Sequence, residues 1–461
     1  MPITTVDPSS HSILTTYAQA TPEDVQAVLM RGQDTFIHEW RDMPLLKRAR
    51  VVNTFADTLE AHTVSLATLM AKEMGKPIRE GQAEIIKSVA LLRAVAARAE
   101  QYFTIHHQAD WELDHDGLDV AIDIAPIGGL LAIMPWNFPV WQIMRVFAPN
   151  AVGGNVVYLK HAEGVTGTAL QLEALWRESG APSGVFQTLV IPHEQIEPII
   201  AHDHIQGVTF TGSVPTGRYI AQLAGSYGKK TVLELGGSDP FCITDDADLE
   251  QAVTTLVTAR FSNCGQVCTA AKRAIVHESV YDQVVAMLLE RIGNIRIGNP
   301  LDDETEMGPM ASMALRDQLQ DQIERAVAQG ARVRMDAKPL ERSGAWMAPM
   351  VLEVGDTANP AAREEVFGPV LVLLRAKDDD QLVELANDTP FGLGATVFSG
   401  NTERGIAIAR RIESGMVAIN TQNLSHPIVP FGGIKASGYG RELGPWGATE
   451  FMNIRTISVR R

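Results

Sequence analysis

The chain has 461 residues, 45% of them apolar and 20% charged, enough for two or three domains with their own cores and too apolar for a disordered chain. Its 39 Lys and Arg stand against 55 Asp and Glu, a formal charge of −16, which would repel a phosphate backbone and excludes nucleic acid as an expected partner. Three cysteines make no disulfide framework, so a reducing, cytoplasmic location is expected.

Met1 to Pro8 carry neither a basic nor an apolar segment, so no secretory leader is expected. Thr21-Pro22-Glu23-Asp24 reads as a helix start: Thr at the N-cap, Pro at N1, acids in the first turn. Val25, Val28, Leu29 and Phe36 follow at helical spacing. Two more helical stretches are expected near 45–74 and 80–102, with Gly75-Lys76-Pro77 between them. From Leu118, apolar Leu118, Val120, Ile122 and Ile124 alternate with Asp119 and Asp123, the pattern of a half-exposed strand. The uncharged run from Ile124 to Met144 has a bilayer-spanning length on paper. Pro126, Gly128, Gly129, Pro135 and Pro139 interrupt it, so it is expected to be buried strand and loop, with no membrane partner.

Apolar runs at 130–134, 155–159, 185–191, 206–211 and 230–235 then alternate with helical stretches at 141–151, 166–178 and 217–224. A second series begins near Pro240, with strands at 241–244, 274–277, 370–374, 396–399 and 417–420. Its helices are expected at 249–260, 280–292, 315–329, 380–387 and 402–412. Such alternation predicts βαβ units and largely parallel sheets, an α/β protein. The tail from Phe451 alternates again and is expected to pair with 114–125 as an oligomer-forming ribbon.

The stretch Phe261 to Thr269 holds two thiols, Cys264 and Cys268, on either side of Gly265. A lone cysteine in such a chain is more often a small buried hydrophobe. As a thiolate, favoured by an amide or a nearby cation, it attacks carbonyls. Its company favours the second reading. Leu233-Glu234-Leu235-Gly236-Gly237 offers a candidate base in an apolar, glycine-rich turn, and Pro135-Trp136-Asn137-Phe138-Pro139 offers an amide donor in a stiff loop. Thr209 to Gly217 runs from a strand through Gly212-Ser213 into a helix, which can cradle a pyrophosphate, although Gly-x-Gly-x-x-Gly is missing and a cap alone explains it. Lys160 and Glu163 follow a strand's carboxyl end and suit ribose hydroxyls or a solvated ion pair.

With these motifs the chain resembles the aldehyde dehydrogenase superfamily along nearly its whole length. The matching pieces are Pro135 to Pro139, Lys160, Phe210-Thr211-Gly212-Ser213, Glu234 to Gly237, Gly265-Gln266-Val267-Cys268, Glu365-Val366-Phe367-Gly368-Pro369 and Pro430-Phe431-Gly432-Gly433. Met134-Pro135-Trp136 and Leu159-Lys160-His161-Ala162 are most similar to the short bacterial succinate-semialdehyde dehydrogenases. The resemblance implies a Rossmann-like cofactor domain (1–105 and 127–236), an α/β catalytic domain (237–436) and a small β oligomerisation ribbon (106–126 and 448–461) in a homodimer or homotetramer. It implies Cys268 as nucleophile, Glu234 as base, Asn137 as oxyanion donor and Lys160 in catalysis. Pro135, Trp136, Lys160, Glu163, Thr211, Gly212, Ser213, Gly217, Leu235, Glu365 and Phe367 would hold the cofactor. A carboxylate at Glu163 favours NAD over NADP, and Lys160 pulls the other way. No metal is expected.

For succinate semialdehyde, Arg145 would meet the distal carboxylate, with Trp141, Ser262 and His426 around the substrate. A second family arginine falls at Ser262, which supplies no charge, so a broader small-aldehyde range is the alternative. A CoA-acylating relative needs no Glu234. A thiol hydrolase needs no cofactor motifs, and a structural protein of this fold needs neither. Cys264, near a reactive thiol in sequence, is expected to confer peroxide sensitivity.

Overall fold

The computed structural model describes residues 2–104, 106–107, 118–337, 340, 342–423 and 425–460. Its helices begin where local chemistry says they should. The Thr21 side chain accepts from the Asp24 N–H while Asp24 reaches back to the Thr21 N–H, so a capping box opens the helix Pro22–Thr35. The expected stretch 45–74 divides at His62 into Leu45–Ala61 and Thr63–Met74, and Gly75, at φ 78°, ends the second half.

A six-stranded sheet places half of the site. Its order is Gly438–Tyr439, Lys230–Glu234, Ile205–Thr211, Gly129–Met134, Val156–His161 and Phe186–Thr188, and only the first strand runs antiparallel to its neighbour. Every residue of Gly129–Met134 is buried, as a parallel strand covered on both faces requires. The carboxyl ends of the central strands therefore deliver Pro135-Trp136-Asn137, Thr211 and Glu234 to one edge.

The second sheet has seven strands: Arg332–Met335, Met350–Glu353, Val370–Ala376, Ala271–His277, Asp239–Ile243, Gly394–Phe398 and Met416–Ile419. All pair in parallel except the outermost Arg332–Met335. Each sheet has its own core. In the first, Trp176 meets Phe147 and Phe55 edge-to-face at 5.0 and 5.2 Å; in the second, Phe241 stacks on Phe398 at 5.2 Å.

The tail strand Met452–Arg460 pairs antiparallel with Leu118–Pro126 along its full length, from Met452 opposite Pro126 to Arg460 opposite Leu118. Residues 114–117 of the expected ribbon lie outside the described residues. On the tail strand Ile454 is 61% exposed and Val459 50%, an apolar edge uncovered in the single chain. Among the described residues, no helix is long and apolar enough to cross a membrane. The uncharged run Ile124 to Met144 instead becomes strand, loop and the start of the helix Trp141–Gly153.

Candidate active site

Cys268 sits on a loop whose backbone is held away from its preferred conformation. After the helix Leu249–Phe261, three successive residues take left-handed φ: Asn263 at 52°, Cys264 at 56° and Gly265 at 69°. For the two non-glycine residues this costs of order 1–3 kcal/mol each and persists only where the surroundings fix it. They do. The Asn263 N–H donates to Glu80 at 2.9 Å, its side-chain amide donates to the Asn137 carbonyl at 2.9 Å, and Gln266 donates back to the Asn263 carbonyl at 3.1 Å. The fully buried Arg260 guanidinium donates to the carbonyls of Gly265, Val366, Gly368 and Val370. After Cys268, the buried Lys272 ammonium donates to the Val267 carbonyl at 2.9 Å and the Cys268 carbonyl at 2.6 Å, and pairs with Glu365 at 3.4 Å. Arg260 and Lys272 hold this loop, and neither lies in a motif that sequence reasoning singled out.

Two cavities, of about 300 and about 640 Å³, meet at this point, and Cys268 and Gln142 line both. The larger is walled by Pro135, Trp136, Thr211, Gly212, Ser213, Leu235, Glu365 and Phe367, with Asn137 and Glu234 at its inner end. Trp141, Arg145 and Ser262 line the smaller one, together with Lys87, Phe138, Ser425 and Phe431. The structure thus brings together most of the residues marked in the sequence.

The electrostatics are those of a buried, mutually perturbed group. Burial pushes the Cys268 thiol up to about 11; Arg145 and Lys272 pull it back down, while Glu365 and Glu234 add to the rise. The two cations do not outweigh desolvation, so the resting group is a thiol. Glu234 is 2% exposed and neither of its oxygens has a hydrogen-bond partner. Burial first, then the neighbouring Glu442, raises it well above the usual carboxylate range, against Arg145 and Arg441. Arg145 is not a free cation, because its Nε lies 2.7 Å from Glu442, with both side chains buried. The Asn137 amide donates to the Gln266 carbonyl at 2.9 Å, and its oxygen accepts from Gln142 at 3.0 Å. One Asn137 N–H hydrogen is left over. The Cys268 backbone N–H has no partner among the described residues.

Other marked residues take different places. His426 is exposed, lies outside both linings, and its ring accepts from the Ile428 N–H of its own loop, at 3.5 Å. Gly217 is buried below the helix start, where a Cβ would collide with the Leu235 side chain; it serves helix–strand packing rather than the cavity wall. Lys160 and Glu163 also lie outside both linings, and Lys160 is not among the charges that act on Cys268, so a place for Lys160 at the reacting atoms is not supported. Ser262 lines the smaller cavity, but its hydroxyl donates to the Thr258 carbonyl at 2.7 Å. Cys264 is 1% exposed in the second core, and burial drives its thiol far up, so it lacks the exposure and thiolate character that oxidation requires.

The larger cavity fits a dinucleotide. Its volume lies within the range of about 300–1,000 Å³ usual for small-molecule and cofactor sites. The helix Val214–Ser226 opens onto it behind the Ser213 cap, and the buried Thr211 hydroxyl in its wall has no partner. A model of the aldehyde dehydrogenase family matches residues 1–457. The chain belongs to the aldehyde dehydrogenase family, and so to the NAD(P)-dependent oxidoreductases.

Among its relatives, a succinate-semialdehyde dehydrogenase [NADP(+)] of Mycobacterium avium is 40% identical over 463 residues, covering 100% of this chain and 97% of that one. A succinate-semialdehyde dehydrogenase [NADP(+)] 1 of Mycobacterium tuberculosis is 40% identical over 462 residues, covering 100% of both. The crystal structure of the succinic semialdehyde dehydrogenase of Streptococcus pyogenes, in complex with NADP+, superposes with a TM-score of 0.96 at 36% identity, covering 100% of each chain. The preference for NAD drawn from Glu163 finds no support in these relatives.

Proposed function

We propose that this chain oxidises a small semialdehyde bearing a distal carboxylate, with succinate semialdehyde the first candidate, to the dicarboxylic acid, using NADP+ in preference to NAD+. The observation that carries the reading is Cys268 at the junction of two cavities, one fit for a dinucleotide and one for a small chain, with Glu234 beside it.

In this reading the Cys268 sulfur bonds to the aldehyde carbon and its proton leaves toward Glu234, a stronger base than an ordinary carboxylate because it is buried. The oxygen of the adduct takes up negative charge, and the spare Asn137 N–H and the Cys268 backbone N–H receive it. Losing one such donor costs about 3 kcal/mol of barrier. A nicotinamide dinucleotide held by Trp136, Thr211, Ser213, Glu365 and Phe367 supplies the hydride acceptor. Glu234, having passed the thiol proton on to solvent, then takes a proton from water, whose oxygen displaces the sulfur from the thioester as thiolate; the acid leaves and Cys268 regains its proton.

The cofactor preference rests on Lys160 and Glu163, at the carboxyl end of the strand Val156–His161, where the ribose of a dinucleotide would reach beyond the wall of the larger cavity. Lys160 is 5% exposed, whereas Glu163 is exposed and can turn to water, so the cation governs a 2′-phosphate. The test is reduced-nicotinamide absorbance with a panel of aldehydes and both cofactors. Succinate semialdehyde with NADP+ should give the highest kcat/KM, and Glu163→Gln should raise the NADP+/NAD+ ratio about fivefold. No reduced cofactor from any aldehyde removes the reading; a wild-type preference for NAD+ removes only the cofactor choice.

Assembly into a dimer or tetramer through the ribbon is the companion proposal, because Ile454 and Val459 need cover. Light scattering should give at least twice the 50.1 kDa chain mass, and a monomer at micromolar concentration would refute it. The reducing compartment inferred from the cysteines is consistent with all three being free thiols.

A further inference from the structure

Resting on the proposed function, the geometry points to Lys87, with the Ser425 hydroxyl, as the group that selects a substrate with a distal carboxylate. Lys87 lies on the helix Ile78–Ala97 and lines the smaller cavity. Its ammonium donates to Ser425 Oγ at 2.8 Å and stands 4.2 Å from the centre of the Trp141 ring. No carboxylate lies within ion-pair distance of it among the described residues, although the cavity wall carries two acids. Both acids are committed elsewhere. Glu84 pairs with the buried Lys76 and accepts from the Val140 and Trp141 N–H groups at 2.8 and 2.9 Å. Glu80 accepts from the Asn263 N–H.

The other cation in the wall, Arg145, keeps one terminal nitrogen, Nη2, without a hydrogen-bond partner, but Glu442 balances its charge. Arg145 also acts on the ionisation of Cys268 and Glu234, and Lys87 acts on neither. A carboxylate facing Arg145 alone meets a neutral pair, whereas Lys87 adds a positive charge in the same cavity. It supplies the charge that Ser262 cannot. An unpaired cation in a half-buried apolar cavity is costly until an anion arrives, which makes it selective for one.

The experiment compares kcat/KM for succinate semialdehyde with that for butanal, equal in carbon number and uncharged, in wild type, Lys87→Met and Lys87→Arg. Lys87→Met keeps length and apolar volume and should lower the ratio about thirtyfold, mainly through KM for the anionic substrate. Lys87→Arg should restore most of it. Wild type offers a reading that needs no variant. Burial, with the charge of Arg145 and against the support of Glu84, pushes the Lys87 ammonium down to about 8. Glu80 on the same helix and Cys268 are the remaining titratable groups in the wall. KM for succinate semialdehyde should therefore rise above pH 8 while KM for butanal does not. A ratio unchanged within twofold in Lys87→Met, with the wild-type preference intact, overturns the assignment to Lys87 and leaves the proposed substrate class standing. Absence of any wild-type preference for succinate semialdehyde over butanal overturns the substrate class itself.

Discussion

Cys268→Ala should lose at least about 10⁴-fold in turnover and still bind the dinucleotide, because one sulfur carries the bond on which the rest of the chemistry depends. The alanine removes one atom from a cavity wall and leaves Trp136, Thr211, Ser213 and Phe367 in place around the larger cavity. Binding can be followed by the fluorescence of Trp136 in that wall, and turnover by absorbance. The same sulfur makes a second readout with a definite sign. With its thiol pushed up to about 11, the reactive thiolate is the form gained as pH rises, and at pH 8 it amounts to about one site in a thousand. Alkylation of the free enzyme by iodoacetamide should therefore accelerate about tenfold per pH unit between 7 and 10. A plateau near pH 8 would mean that Arg145 and Lys272 outweigh burial after all. Cys242 and Cys264 are buried and should not contribute. Reduced cofactor formed by Cys268→Ala at more than about a hundredth of the wild-type rate would falsify the covalent route.

The reactive groups were legible because each sits where backbone pattern and chemistry coincide. Glu234 ends an apolar strand, Asn137 follows one, and Cys268 follows a glycine. The strand–helix alternation that placed them is set by local periodicity, which a single sequence carries. What stayed hidden depends on distance in space. Lys272 and Arg260 carry no mark in the sequence, and only the fold shows them buried against carbonyls of the Cys268 loop. Arg145 looked like a free clamp because Glu442, its partner, lies 297 positions away. Lys87, on the helix Ile78–Ala97 of mixed character, gave no signal that its ammonium faces a cavity. The edge strands Ile3–Val6 and Ile13–Tyr17 escaped because they are short and rich in threonine. Met350–Glu353, only four residues long and directly after Pro349, was too short for its pattern to show.

Glu234→Gln should divide the reaction at its midpoint. Glutamine keeps the size of the side chain but cannot take a proton, and loss of a general base typically costs about a hundredfold to ten-thousandfold. Solvent can take the thiol proton in place of Glu234 in the first step, so the first half of the reaction survives. The variant should then show a burst of reduced cofactor equal to one per active site, followed by a steady rate about a thousandfold below wild type. The acyl group should be found on Cys268 by mass spectrometry. In the wild type, burial and Glu442 hold the carboxyl well above its ordinary range. A base is active only when deprotonated, so kcat should fall as pH is lowered through a value well above that of a solvent-exposed carboxylate. That acidic limb should vanish from the steady rate of the glutamine variant, which has no proton to gain. A variant with neither burst nor acylated Cys268 would show that Glu234 is needed when the sulfur loses its proton. The burst amplitude therefore decides which of the two proton transfers this buried carboxylate controls.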